Sequence, residues 1–218
     1  MRTRAGWTVM TLLSLLVVLV ASRYLAFDPS TYFPQQRAVY VDRQLVLGLH
    51  IAGGMAALLI GPFQLARRLR TRHVRLHRAT GLGYVVGVAV ASASGLALAT
   101  TAHGGPVAGL GFAGLAVSWA GTTSLAVRAV LLHDYAQHRG WMVRSFALTF
   151  AAVTLRLYLG VAGVLGLDFD TSYVVIAWLC WVPNLLLATW FTRTATRAVS
   201  PRPPGPGGAR ADGATVSR

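Results

Sequence analysis

Residues His138–Arg156 read HRGWMVRSFALTFAAVTLR. The stretch opens as a basic, aromatic segment of the kind found at a membrane edge and passes into an apolar run. Arg156 stands twelve positions beyond Arg144, about 18 Å along a helix axis at about 1.5 Å per residue. That reach predicts a cation near the middle of a bilayer. A charge is tolerated there only where it faces a protein interior or a wet cavity. The stretch therefore predicts a membrane protein with a polar interior.

Composition agrees. Of 218 residues, 55% are hydrophobic and only 12% charged, about half the charged share of a soluble domain. Mean hydropathy is +0.56. The net charge is +14; every base among Lys and Arg is arginine and every acid is aspartate. Such a charge could suit nucleic acid, but here the arginines flank apolar runs, as membrane orientation requires, and nucleic acid is set aside. The single cysteine, Cys180, lies between Trp178 and Trp181 in an apolar run and cannot form an intrachain disulfide.

Taken in order, six apolar runs are each long enough to cross a bilayer, which needs about 20 residues. The first, in residues 1–27, follows Arg2 and Arg4. It resembles a signal peptide, with Val20-Ala21-Ser22 as a cleavage-like site, but five further spans favour an uncleaved anchor helix. Residues 28–45, with Pro29, Pro34, Asp28 and Asp42, predict an external loop or interfacial helix. A five-helix membrane core follows over residues 46–193. Its spans are expected at about 46–65, 81–102, 107–132, a fifth ending near Leu165, and 173–192. The basic segment 67–78 (RRLRTRHVRLHR), the turn Gly104-Gly105-Pro106 and HDYAQHRG connect them. Residues 194–218 predict a disordered Pro/Gly/Arg-rich cytoplasmic tail. The fold class is thus all-α, a polytopic six-helix membrane bundle.

Orientation follows the arginines. With the N-terminus inside, one side holds Arg2, Arg4, the six arginines from Arg67 to Arg78, Arg128, Arg139, Arg144 and five in the tail. The other holds only Arg23, Arg37 and Arg43, with Asp28, Asp42, Asp168 and Asp170. This bias places both termini in the cytoplasm of a multi-pass protein of the bacterial inner membrane. Its arginine collar would face anionic lipid headgroups.

Several polar groups fall within the spans. On the second, His50, Gly54, Ala57, Gly61 and Gln64 share one helical face. Small residues there suit close helix packing or a flat ligand. Arg156 has no aspartate at its own depth; Asn184 is expected at the same level, with Trp181 one turn away. Arg156 is either a structural residue bonded to Asn184 and backbone carbonyls, or an anchor for an anionic group such as a propionate, a lipid phosphate or a carboxylate. His73, His77, His133, His138 and Asp134 gather at one rim, where two loops together could assemble a metal site. The plainer reading of that rim is a basic collar on headgroups.

These residues carry a resemblance. Gly61-Pro62-Phe63-Gln64, His77-Arg78-x-x-Gly81, Gly104-Gly105, Trp119 with Thr122-Thr123, His138-Arg139-x-Trp141-Met142-x-Arg144-Ser145, Leu155-Arg156 and Trp181-x-Pro183-Asn184 resemble the bacterial predicted membrane proteins called domain of unknown function 2306. The resemblance runs from about His50 to Leu187. It implies a polytopic membrane protein and no particular activity. By helix count and membrane histidines alone, the chain is also distantly similar to four-helix b-type cytochromes and ferric reductases.

Three function classes follow. A b-type haem in an electron-transfer protein needs paired histidines at one depth as iron ligands; His77 with His138, or His50 with His103, are the available pairs. His77 and His103 lie twenty-six residues apart on one helix, roughly 39 Å, too far for two haems stacked within the bilayer. Arg156 would then meet a propionate. A transporter or channel for a small anionic ligand would instead line a midplane path with Arg156, Asn184, Thr122, Ser92 and Ser94. A lipid-interacting accessory protein is the third class. No catalytic motif is present, so enzymatic activity, for instance as a membrane redox component, stays open.

Overall fold

The computed structural model describes residues 4–197, with side chains described to residue 193. Most of the expected 194–218 tail lies outside the described residues. Helix α1 (Arg4–Ser22) continues through a 3-10 turn, Arg23–Ala26. Two further 3-10 turns, Pro29–Thr31 and Pro34–Gln36, lead into the short α2 (Arg37–Asp42). Then come α3 (Gln44–Gln64), α4 (Arg67–Arg72), α5 (Val74–Ala99) and α6 (Gly105–Leu131). The chain ends with α7 (Tyr135–Thr149), α8 (Ala151–Val164), α9 (Phe169–Leu179) and α10 (Val182–Arg197). No strand occurs among the described residues.

Six helical stretches among the described residues are long and apolar enough to span a membrane: Arg4–Ala26, α3, α5, α6, Tyr135–Val164 and Phe169–Arg193. They alternate in direction, so both described chain ends come to one face, here the terminal face; the other is the far face.

Two expected boundaries move. The basic segment is not one loop: Arg67–Arg72 forms α4, and Val74 already begins the third span, so His77 and Arg78 are helical. The fifth span likewise starts at Tyr135, because the Asp134 carboxylate caps it by accepting from the Gln137 N–H (2.9 Å). The expected turn at Gly104-Gly105-Pro106 is present. Both glycines have positive φ, +85° and +70°, where a side chain is strained, and Pro106 sits in the first turn of α6.

The fifth and sixth spans are each broken. Pro183 supplies no N–H and its ring displaces the preceding turn, which separates α9 from α10. The break at Phe150, between α7 and α8, contains neither proline nor glycine. The two breaks face each other. The Cys180 carbonyl accepts from Thr154 Oγ1 and from Asn184 Nδ2 (3.0 Å), and the same amide donates to Thr154 Oγ1 (3.1 Å) and the Ala147 carbonyl (3.3 Å). Carbonyls freed by irregular backbone are thus paired inside the protein, as a bilayer interior requires.

Packing follows the small residues. The α3 and α5 helices lie close because Gly53 and Gly87 meet; a Cβ on Gly53 would stand 2.9 Å from Ala91 N. The terminal half of the bundle packs α7 against α6, α3 and α10, whereas in the far half α8 packs on α9 and α1. The main core joins Ala57, Tyr84, Val88, Ala91, Trp119, Phe146, Leu148 and Trp181.

Candidate functional site

Polar residues gather in three places. The first lies in the far half. Arg156 is eight residues from the far end of its span, about 12 Å, so it sits in the outer third and not at the middle. Its Nη1 donates to the Ala152 carbonyl one turn back (2.9 Å), and the half-buried guanidinium lies within electrostatic reach of Tyr24, Tyr40 and His50. Val153, one turn closer to the midplane, is fully buried against Val17, Val18 and Leu58. The arginine therefore faces protein. Burial pushes the Tyr40 phenol above its ordinary range. Tyr173 lies near Tyr24 and Tyr40, and Tyr24, Tyr32 and Leu47 close this end as one cluster with Tyr40 packed on it.

His50 lies between α3 and α5. Its Nδ1 is 2.8 Å from the Ala91 carbonyl; a carbonyl only accepts, so Nδ1 carries the proton and Nε2 keeps its lone pair. Gly95 makes room, since a Cβ there would stand 2.9 Å from the imidazole. The face expected on α3 is shifted: Gly53, Ala57, Gly61 and Gln64 are buried, while Gly54 meets nothing.

Two expectations about Arg156 change. Asn184 does not bond it. The amide is spent on the two helix breaks, one to two turns nearer the midplane. Nor does any carboxylate stand by it: the only ion pair among the described residues joins His103 Nε2 to Asp170 (2.7 Å). That pair holds His103 in the far-face turn, partly exposed and away from His50.

The second place is the midplane. Tyr84 O–H lies 2.8 Å from both Ser145 Oγ and Thr149 Oγ1. Thr123 Oγ1 lies 2.7 Å from Ser145 Oγ, and the Trp119 indole donates to Thr149 Oγ1 (3.0 Å). Thr149 gives its own proton to the Ser145 carbonyl (3.1 Å), so Tyr84 must be the donor to Thr149. Thr123 likewise gives its proton to the Trp119 carbonyl (2.8 Å), so Ser145, with one proton, donates either to Thr123 or to Tyr84. All five residues are buried. Sequence reasoning missed Tyr84 and Thr149, because a lone tyrosine and threonine in apolar runs give no signal of convergence.

The side chains expected along a midplane path, and Trp181 near them, have these partners. Ser94 and Thr122 bond back to their own helices, Ser92 is buried without a partner, and Trp181 donates to the Ala177 carbonyl (3.1 Å) with its ring against Gly114.

The third place is the terminal rim. His77 and His138 come within electrostatic reach of each other. His138 Nδ1 donates to the Ala126 carbonyl (2.9 Å), while His77 Nδ1 is buried without a partner. The wider rim metal site is not assembled. Among the described residues no three or more His, Cys, Asp or Glu come together to hold a metal ion, and His133 is exposed beside Tyr135. Gln64 donates to Thr80 Oγ1, and Arg144 lies over the Trp141 ring (4.7 Å) and donates to Thr189 (3.2 Å).

A six-span helical bundle with these interior polar groups is an integral membrane protein. Residues 47–192 match the predicted membrane protein family DUF2306, and the chain belongs to that family. No curated protein and no solved structure matches it. Several motif residues that carry the family resemblance hold the bundle together. Gly61 lies under the Phe146 ring, and Trp119, Thr123 and Ser145 belong to the midplane network.

Proposed function

We propose that the protein binds a small anionic ligand in the far half of the membrane, with Arg156 as its charge partner. One observation carries this reading: a half-buried guanidinium whose hydrogen bond is to a carbonyl of its own helix and which has no carboxylate beside it. A cation so placed lacks compensation from the protein, and its remaining donors suit a carboxylate or phosphate. Tyr24, Tyr40 and His50 supply neutral hydrogen-bonding groups around it. The arginine bias orients the terminal face to the cytoplasm, so on this reading the site lies in the outer half of a bacterial inner membrane. Transport or sensing of the ligand fits this placement.

The test is a thermal shift of detergent-purified protein against a panel of mono- and dicarboxylates and organic phosphates. At least one raises the unfolding temperature of the wild type and leaves Arg156→Leu unmoved. A panel without effect, or equal shifts in both proteins, defeats the reading.

A second reading rests on His77 and His138. A backbone carbonyl that holds His138 Nδ1–H is the arrangement that orients a metal-ligating imidazole, and His77 presents an unpartnered ring nitrogen beside it. A b-type haem would use these two as axial ligands. An absorption spectrum of the purified protein decides: a Soret band abolished by His138→Ala supports this reading, and colourless protein expressed with haem supplied removes it.

A further inference from the structure

An apolar recess of about 360 Å³ opens beside the terminal ends of the second and third spans. Leu59, Ile60 and Phe63 of α3, Leu69 of α4, and Leu76 and Thr80 of α5 line it. The one hydroxyl is already spent: Thr80 donates to the Leu76 carbonyl (2.7 Å) and accepts from Gln64. The recess offers nothing to a polar occupant. It runs from Leu76 to Thr80, roughly 6 Å along the axis, a length that takes the first carbons of an acyl chain.

The same short helix that lends Leu69 carries four arginines on its other sides. Arg67, Arg68, Thr71 and Arg72 line an adjoining open depression. Arg70 is half-buried beside Arg139 and Arg67, and burial followed by those like charges pulls its guanidinium below the ordinary range. Among the described residues none of these cations is in an ion pair with a carboxylate. An uncompensated cationic rim directly above an apolar slot matches one chemistry, an anionic headgroup attached to an acyl chain. A second copy of the chain is a poor occupant, because pairing this face with itself would bring the arginines together.

We propose that the α4 recess retains one anionic diacyl phospholipid, its headgroup on the α4 arginines and one acyl chain between α3 and α5. This site is separate from the Arg156 site, and it stands or falls independently. Delipidated protein in detergent is incubated with phosphatidylglycerol and phosphatidylcholine of the same chains at equal concentration, and bound lipid is read by native mass spectrometry. The expected result is one phosphatidylglycerol retained in preference to phosphatidylcholine. The preference falls roughly fivefold for each arginine removed in the series Arg67→Gln, Arg68→Gln, Arg72→Gln. Leu76→Trp, which fills the slot and leaves the arginines in place, lowers phosphatidylglycerol retention, and glycerol phosphate does not displace the lipid. Equal retention of the two lipids overturns the proposal, as does a preference unchanged in the triple variant. So does displacement by glycerol phosphate, the mark of a headgroup-only anion site, or a lipid-free dimer that Leu76→Trp dissociates.

Discussion

Replacing Arg156 by leucine is expected to stabilise the ligand-free protein. An arginine at the centre of a membrane helix costs about 2.5–3.5 kcal/mol. Arg156 lies about 12 Å from the far end of its span and is half-buried, so the applicable cost is nearer 2 kcal/mol. Against this stands the hydrogen bond to the Ala152 carbonyl of the same helix, taken at about the 0.6 kcal/mol that side-chain bonds between membrane helices average. The net gain on Arg156→Leu is about 1–2 kcal/mol. For a chain of this size that corresponds to a rise of roughly 2–8 °C in unfolding temperature. The assay is tryptophan fluorescence on heating in mild detergent, with no ligand added and with Arg156→Lys as the charge-preserving control. A fall of similar size in Arg156→Leu would refute the reasoning, because it would show the guanidinium to be a structural tie. A rise confirms that the charge is held at a cost to stability, the usual sign of a functional group.

Three further outcomes are expected. Tyr84→Phe removes two midplane bonds and should cost about 1 kcal/mol at roughly 0.6 kcal/mol each, read from the same melt; no change would show the network to be energetically idle. Gly61→Leu drives a side chain into the Phe146 and Tyr84 rings and should cost about 1–3 kcal/mol by overpacking, with reduced yield in membranes. The Asp168 carboxyl accepts from the Thr171 N–H at the start of α9 (2.8 Å), and hydrogen bonding to the Thr171 backbone and side chain holds it below the usual carboxylate range. A lowered pKa contributes stability above the unfolded value and loses it on acidification. Asp168→Ala should therefore lower the unfolding temperature at neutral pH, and the gap should close below about pH 4.

The spans were legible because bilayer thickness imposes a length and an apolar run on each of them. Their ends were less so. The basic run at 67–78 reads as a loop by charge, yet arginine is a good helix former, and the structure divides the run between α4 and the start of α5. Arg156 was recognisable as an interior cation from sequence spacing alone. Its depth differs from the expectation, because Arg144 lies nine residues inside Tyr135, where the span begins, and is not at the span's edge. Asn184 was a reasonable partner by counting, but counting assumes unbroken helices, and the breaks at Phe150 and Pro183 take the amide for themselves. Tyr24 and Tyr40 give no sequence signal of lying near Arg156, since nothing in the sequence says that the segment between the first two spans folds back over the bundle. The histidines show the same limit: His103 met Asp170, sixty-seven residues on, which no local pattern encodes.

Lipid tails give helices little reason to prefer one rotation or offset over another, since every apolar flank is equally content in oil. Tyr84, Trp119 with Thr123, and Ser145 with Thr149 remove that freedom for three spans at once. Sliding any of them by one turn, or rolling it by a fraction of one, would strand several hydroxyls where no water can reach them. The knot works as an alignment key at mid-depth. It leaves the far-half segments α8 and α9, which lie beyond it and beyond the paired breaks, as the part of the bundle whose tilt it does not dictate.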